Sequence, residues 1–156
     1  NSKIDNMQVS ILSTIILGAS GLIITFVFSR HSTKLANDRI MQELFREFNI
    51  RYSKLHSKLT FIQEHYPELE ELEKAENSDK MKTVIINYFI LCAEEYYWYY
   101  HKKRLDKIIW DSWHQGMNYW YNHVPAIKAL WKREIAENGL RSYYIDGSHG
   151  FFIDKE

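Results

Sequence analysis

Cysteine, proline and glycine are scarce in this sequence of 156 residues, which contains one, two and six of them respectively. The single cysteine, Cys92, excludes an internal disulfide and a multi-cysteine zinc site, and it fits a reducing compartment. Basic and acidic residues number 20 each, so no net charge would attract duplex nucleic acid. Because few helix breakers accompany 15% aromatic residues, we predict an all-α fold of long helices around a bulky core.

Charge is also missing from residues 6–29, a run of 24 residues that is mostly apolar. About 20 such residues in a helix cross a hydrocarbon core of roughly 30 Å. The run is too long for the apolar part of a signal peptide, and no Ala-x-Ala cleavage motif follows it. We therefore predict that residues 1–30 form a transmembrane anchor in the lipid bilayer.

Basic residues flank this run unequally. Lys3 alone precedes it, whereas Arg30, Lys34 and Arg39 follow it within ten residues. Because basic residues next to a membrane helix favour the cytoplasmic side, we expect a single-pass membrane protein with its N-terminus outside. The remaining residues, 31–156, would then form a cytoplasmic domain.

Small residues recur on one face of the apolar run at steps of four, three and four: Thr14, Gly18, Gly21 and Thr25. Small side chains let membrane helices pack closely against each other, so this face indicates a homo-oligomer. The alternative is that glycine and serine are simply common in membrane helices.

The cytoplasmic domain is predicted to be a bundle of about four helices, the first over residues 38–65. It would begin at Asn37 or Asp38 as an N-cap and stop before Pro67. Its apolar residues alternate steps of four and three, which suits packing within the bundle or, alternatively, against other copies of the chain. These residues are Met41, Phe45, Phe48, Tyr52, Leu55, Leu59 and Ile62.

Further helices are predicted over residues 78–103, from an N-cap at Asp106, and from Pro125 in a first turn. The third helix contains Gly116 at a point where a glycine usually marks a close helix crossing. Residues 142–156 alternate aromatic residues with glycine and aspartate, so we expect an arm wrapped on the bundle.

Polar residues interrupt two of these helices where they should pack. Arg46, Asn49 and Arg51 lie in the first helix, and Glu94 and Glu95 follow the most apolar stretch of the second. A carboxylate half buried between helices needs a partner, which the basic and amide groups could supply. We expect a polar network that fixes helix register, with a ligand pocket as the alternative.

Residues 96–104 combine aromatic rings on every face of a helical turn with a cluster of cations. Such rings can stack bases while the cations bind phosphates, as in nucleotide sites. The alternative is a packing interface, where Tyr and Trp are enriched. The candidate ligand-binding residues are Tyr97, Trp98, His101, Lys102, Lys103 and Arg104.

Signatures of enzymes are missing from the sequence. It contains no His-Glu-x-x-His, no phosphate-binding glycine loop and no Gly-x-Ser-x-Gly. We therefore expect no catalytic activity, no metal and no cofactor.

Three helical phrases carry a resemblance to known proteins: Phe-x-x-Phe-Asn-x-Arg-Tyr at residues 45–52, Leu-Cys-x-Glu-Glu-Tyr at 91–96, and Trp-x-x-Trp-x-x-Gly at 110–116. In this combination the chain resembles a group of uncharacterised bacterial single-span membrane proteins over residues 40–135. The resemblance implies a cytoplasmic helical domain and a membrane address, without an activity.

The architecture is also similar to that of small membrane effectors of antiviral defence, including CRISPR-associated ones gated by cyclic oligoadenylates. That similarity implies an oligomeric membrane effector whose cytoplasmic domain senses a ligand, such as a cyclic nucleotide, or a protein partner. The alternative is a membrane-anchored scaffold or accessory subunit that docks a larger complex.

Overall fold

The computed structural model describes the backbone of residues 2–147 and 150–155, and the side chains of residues 22–147 and 150–155. All regular structure in these residues is helical, so the predicted all-α fold is confirmed. The helices are α1 (Ser2–His65), α2 (Leu69–Lys74), α3 (Ser78–Tyr96), α4 (Lys107–His123) and α5 (Pro125–Asn138). A π-helical turn covers Tyr97–His101, and a 3₁₀ turn covers Leu140–Tyr143.

The chain divides into two compact units, Asn1–Gln42 and Glu43–Glu156. In the first unit the side chains of Leu22, Ile24 and Phe28 are all more than 65% exposed. Most of the predicted anchor, including Thr14, Gly18 and Gly21, lies outside the residues whose side chains the structure describes; Thr25 is described and exposed. Within the described residues, no helix has the length and apolar character needed to cross a membrane.

The predicted start of the first helix at Asn37 or Asp38 is wrong, because α1 runs through both residues. A capping residue begins a helix only where the preceding residues leave helical geometry, and no proline or glycine lies between Gly21 and Pro67 to cause this. The predicted end is confirmed, since α1 finishes at His65 before the proline.

Local signals also fix the ends of the later helices. The Asp106 carboxylate accepts a hydrogen bond from the Ile108 amide at 2.7 Å, so the predicted N-cap is confirmed. Pro125 occupies the first turn of α5, and Gly139, at φ 75°, follows its last residue. The second helix is shorter than predicted, because α3 gives way at Tyr97 to a π-helical turn in which aromatic residues are crowded.

The core of the second unit is formed by α1 to α5 and the C-terminal arm. Phe89 and Phe151 are fully buried, and the Trp131 ring lies 5.0 Å and 5.1 Å from theirs. The arm is bound by two asparagines one turn apart on α4: Asn118 accepts a hydrogen bond from the Ile153 amide at 2.6 Å, and Asn122 donates one to the Ile153 carbonyl at 2.9 Å. This binding inserts the aromatic residues of the arm into the core.

Candidate functional site

A cavity of about 450 Å³ lies in the second unit between α1, α3 and α4. Its inner wall is formed by residues that are almost completely buried, such as Phe48, Tyr88 and Met117. Its rim includes Phe45 and Ile108, which are 45% and 80% exposed, so the cavity is accessible from solvent. The lining residues are Phe45, Phe48, Asn49, Tyr52, Tyr88, Leu91, Glu95, Ile108, Ile109, Ser112, Trp113, Gly116 and Met117.

Aromatic rings from α1 and α4 form one wall of this cavity. The Trp113 ring stacks on Phe45 with a centroid distance of 5.9 Å, and it meets Phe48 edge to face at 5.6 Å. These are favourable arrangements of aromatic pairs, so the wall is held in a defined geometry.

Gly116 lies beside this wall on α4. A Cβ atom added at Gly116 would meet no atom within 4 Å, so this glycine contributes to the open space. The prediction that Gly116 marks a close helix crossing is therefore wrong, because α4 approaches no other helix there.

The one ionisable carboxyl group in the lining belongs to Glu95, which is 6% exposed. Burial raises the pKa of Glu95 to about 8, although the positive charge of Arg51 acts in the opposite direction. Among the described residues, no side chain donates a hydrogen bond to Glu95 at normal distance. At neutral pH the group is therefore mostly a neutral carboxylic acid inside an apolar cavity.

Arg51 is engaged by the neighbouring glutamate rather than by Glu95. Its guanidinium donates a hydrogen bond to the Glu94 carboxylate in an ion pair between α1 and α3, which raises the pKa of Arg51. Glu47, one turn earlier on α1, lies 3.7 Å from the same guanidinium. The cation near the cavity is therefore already neutralised by carboxylates outside it.

Two tyrosine hydroxyls of the lining differ in their hydrogen bonding. The Tyr52 hydroxyl accepts a hydrogen bond from the Trp120 indole at 3.0 Å. The Tyr88 hydroxyl is buried and has no hydrogen-bond partner within the described residues, and burial raises its pKa well above the usual value. The thiol of Cys92, a weak hydrogen-bonding group, also raises that pKa.

The structure brings together only part of the polar network predicted from the sequence. Arg51 and Glu94 pair, and Glu95 lies beside them. Asn49 lines the cavity but donates its hydrogen bond to the Phe45 carbonyl of its own helix, at 2.6 Å. Arg46 is exposed on α1 and lies along a shallow outer groove with Asn49.

The aromatic and cationic residues at 97–104 are not among the lining residues of the cavity, although Trp98 contacts the outside of that lining. Tyr97 packs against Tyr144 of the arm at 5.1 Å, and the His101 ring nitrogen is 2.9 Å from the Tyr144 carbonyl. Trp98 packs beside the buried residues Leu44, Phe48 and Leu91. Much of this aromatic surface is therefore occupied by contacts within the chain.

The cations of this segment are exposed. Lys102 lies 5.5 Å from the Tyr97 ring centroid, in a cation–π contact. Lys103 has a positive φ of 51°, and Arg104 is also exposed. The prediction that this segment binds a nucleotide stays a prediction.

Sequence reasoning identified Glu95 and Asn49 but missed Tyr88, Trp113 and the space beside Gly116 as parts of one site. The available signal was a glycine in the aromatic stripe of α4, three residues after Trp113 and four before Trp120. Among the described residues, no cluster of His, Cys, Asp and Glu is arranged to hold a metal ion.

Comparison with known proteins gives no family for this chain: no family model, no curated protein and no solved structure matches it.

Proposed function

We propose that this protein is an oligomeric effector of the bacterial inner membrane whose cytoplasmic helical domain binds a small ligand and perturbs the bilayer in response. The cavity of about 450 Å³ between α1, α3 and α4 is the observation that carries the ligand-binding part. Cavities of this size hold drug-sized molecules. Protein interiors are close-packed, and an open, walled cavity with buried polar groups costs stability that a ligand would restore.

The membrane part of the proposal is supported by the uncharged run at residues 6–29. Where the side chains of this run are described, its large apolar residues are 55–75% exposed: Leu22, Ile23, Ile24, Phe26, Val27 and Phe28. An apolar helix surface with this exposure is suited to lipid or to other copies of the same helix. The basic residues that follow it favour a cytoplasmic position for the domain.

A role in antiviral defence, with a cyclic nucleotide as one candidate ligand, is supported by the architectural similarity noted above. The exposed cations Lys102, Lys103 and Arg104, of which Lys102 lies beside the ring of Tyr97, also favour a nucleotide. This segment and the cavity are two separate places at which a ligand can act.

The membrane and assembly parts are tested with the full chain extracted from native membranes. We expect it to resist alkaline carbonate extraction and to form a defined oligomer in detergent by light scattering. Replacing Gly18 and Gly21 with leucine keeps the run apolar but removes the small face, so the oligomer should dissociate while membrane retention persists. Recovery in the aqueous fraction, or a monomer in detergent, would contradict the proposal.

The ligand part is tested by thermal unfolding of the detergent-solubilised full chain with mono-, di- and cyclic oligonucleotides. A Gly116→Leu variant fills the cavity, and a Lys102→Ala/Lys103→Ala variant removes the exposed cations. A nucleotide bound at residues 97–104 should raise the unfolding temperature of the first variant and not that of the second. Dye release from vesicles of phosphatidylethanolamine and phosphatidylglycerol then measures whether binding perturbs the membrane.

A second candidate function, an anchored scaffold or accessory subunit, is favoured by apolar residues on the outer surface of the second unit. Ile50, Phe61 and Ile90 are 41–49% exposed on α1 and α3. Such residues are typical of protein interfaces when they form a patch. Isolation from native membranes that recovers only copies of the chain itself would contradict this function.

A further inference from the structure

The charges around the cavity restrict the class of ligand that it can hold. Its lining contains the Glu95 carboxyl group and no lysine, arginine or histidine. An anion in this cavity would lose its hydration beside a carboxyl group and would gain no cationic partner. Phosphates and carboxylates are therefore poor ligands for this site, and a nucleotide would have to bind elsewhere on the protein.

Among the described residues, Glu95 forms no hydrogen bond or ion pair of its own, although the positive charge of Arg51 lies near enough to act on its pKa. Arg51 on α1 is held by the carboxylates of Glu94 and Glu47, both of which lie outside the lining. From α4, the cavity is faced only by uncharged residues among those described. A ligand that brings a positive charge would supply the interaction that Glu95 is missing, and the buried position would make it strong.

The aromatic side chains of the lining favour the same kind of ligand. Phe45, Phe48, Tyr52, Tyr88 and Trp113 present five aromatic rings to one cavity that also contains a carboxyl group. The faces of aromatic rings attract cations, and cages of such rings bind alkylated ammonium groups.

We propose that this cavity binds a lipophilic monocation, such as an aryl- or alkylammonium, with Glu95 as its counterion and the rings of Phe48, Tyr52 and Trp113 around its head group. This inference rests on the proposed function, because it names the ligand class of the same cavity. The volume of about 450 Å³ accommodates the ammonium head group together with an apolar substituent.

Proton release is a direct consequence of this arrangement. Before binding, Glu95 is mostly protonated at neutral pH, because its pKa is raised to about 8. The charged groups near it are Arg51 and Glu47 on α1 and Glu94 on α3, with Tyr52, Tyr88 and Cys92 as further titratable neighbours. A bound cation stabilises the carboxylate, so the O–H bond of Glu95 breaks and its proton passes to solvent.

The test compares three probes of similar shape on the detergent-solubilised full chain: meta-hydroxyphenyl trimethylammonium, its uncharged carbon isostere meta-tert-butylphenol, and meta-hydroxybenzenesulfonate. Isothermal titration at neutral pH in two buffers of different ionisation enthalpy measures both affinity and proton release. We expect the cation to bind about tenfold or more tightly than the isostere, with release of nearly one proton, and the sulfonate to bind most weakly.

Variants separate the role of Glu95 from general stability. In Glu95→Gln, the affinities for the cation and the isostere should become equal within about twofold, and proton release should disappear. Glu47→Gln is the matched control: it removes an exposed carboxylate near Arg51, and it should keep the preference for the cation. Gly116→Leu fills the cavity and should abolish binding of both probes. Circular dichroism and thermal unfolding verify that each variant is folded.

The outcomes distinguish this inference from the proposed function. If the isostere binds wild-type protein as tightly as the cation, or if the sulfonate binds best, the cationic ligand class is wrong but the cavity remains a binding site. If none of the three probes binds, or if Gly116→Leu binds them as wild type does, the inference fails together with the cavity-based part of the proposed function, whereas the membrane, assembly and nucleotide parts stand or fall by their own tests.

Discussion

The aromatic core around Phe89 and the cavity wall around Phe48 belong to the same compact unit but differ in what their rings contact. In the core, Phe89, Trp131 and Phe151 meet one another and leave no exposed ring between them. In the cavity wall, the rings enclose space and a carboxyl group. Similar residue types therefore serve stability in one region and, we propose, binding in the other.

The two regions differ because of what closes them. The core is closed by the C-terminal arm, whose backbone is hydrogen bonded to Asn118 and Asn122. No comparable segment covers the cavity within the described residues, and its rim is formed by the exposed side chain of Ile108. Substitutions in the core should therefore change stability most, whereas substitutions at the cavity should change stability less and pH dependence or binding more.

The largest expected effect is that of Phe151→Ala in the core. Phe151 is fully buried, and its ring lies 5.1 Å from Trp131 and 4.7 Å from Phe152. Its removal should lower the free energy of unfolding by about 3–5 kcal/mol, since a large cavity replaces the ring. Urea denaturation measures this change. Ile153→Ala, at a side chain that is 55% exposed, is the control and should change stability by less than about 0.5 kcal/mol.

On the cavity side, Glu95 should make stability depend on pH. Burial raises its pKa from 4.5 to about 8, so between these values the folded protein binds more protons than the unfolded chain. The free energy of unfolding should therefore fall as pH rises through this interval, by up to about 1.4 kcal/mol per pH unit. Below about 4.5 the contribution is fully retained, and above about 8 its loss is complete.

Glu95→Gln should remove this slope, because the amide does not titrate. Denaturation at several pH values measures the slope for wild type and for the variant. Glu47→Gln, which changes an exposed carboxylate next to Arg51, should keep it. A slope that persists in Glu95→Gln would mean that another group causes the pH dependence.

A smaller effect distinguishes the two tyrosines of the cavity. Tyr52→Phe removes the acceptor of the buried Trp120 indole N–H, which should cost about 1–3 kcal/mol. Tyr88→Phe removes a hydroxyl that has no partner among the described residues, so it should leave stability unchanged or raise it slightly. Urea denaturation of both variants gives the comparison, and equal losses would show that the Tyr88 hydroxyl is satisfied in solution.

The sequence predicts helices well wherever a residue acts on the backbone at its own position. Pro67, Asp106 and Pro125 each mark the helix boundary expected of them. The start of the first helix was predicted from a capping residue alone, and that boundary was wrong because a cap does not interrupt a helix. The π-helical turn after Tyr96 was missed, since it depends on how crowded rings pack rather than on a local preference.

The site was predictable only in part for a similar reason. The carboxyl groups at the end of the apolar stretch of α3 indicated that Glu94 and Glu95 would join a polar network with Arg46, Asn49 or Arg51. Whether Glu94 or Glu95 forms the ion pair with Arg51 depends on the rotation of α3 against α1. The sequence does not specify that rotation. The cavity is the space that three helices, distant from one another along the chain, leave unfilled between them. No local sequence pattern therefore predicts it.

Gly116→Ala is expected to change stability least. The sign of this change distinguishes the cavity from the aromatic core most clearly. Alanine should stabilise α4 by about 1 kcal/mol through helix propensity, because its Cβ would enter open space. In the core, Ala126→Val adds carbon atoms at a fully buried position and should be destabilising, since close-packed neighbours must move. Thermal and urea unfolding measure both. If Gly116→Ala were destabilising, the space beside α4 would be filled in solution, and the cavity could not accept a ligand.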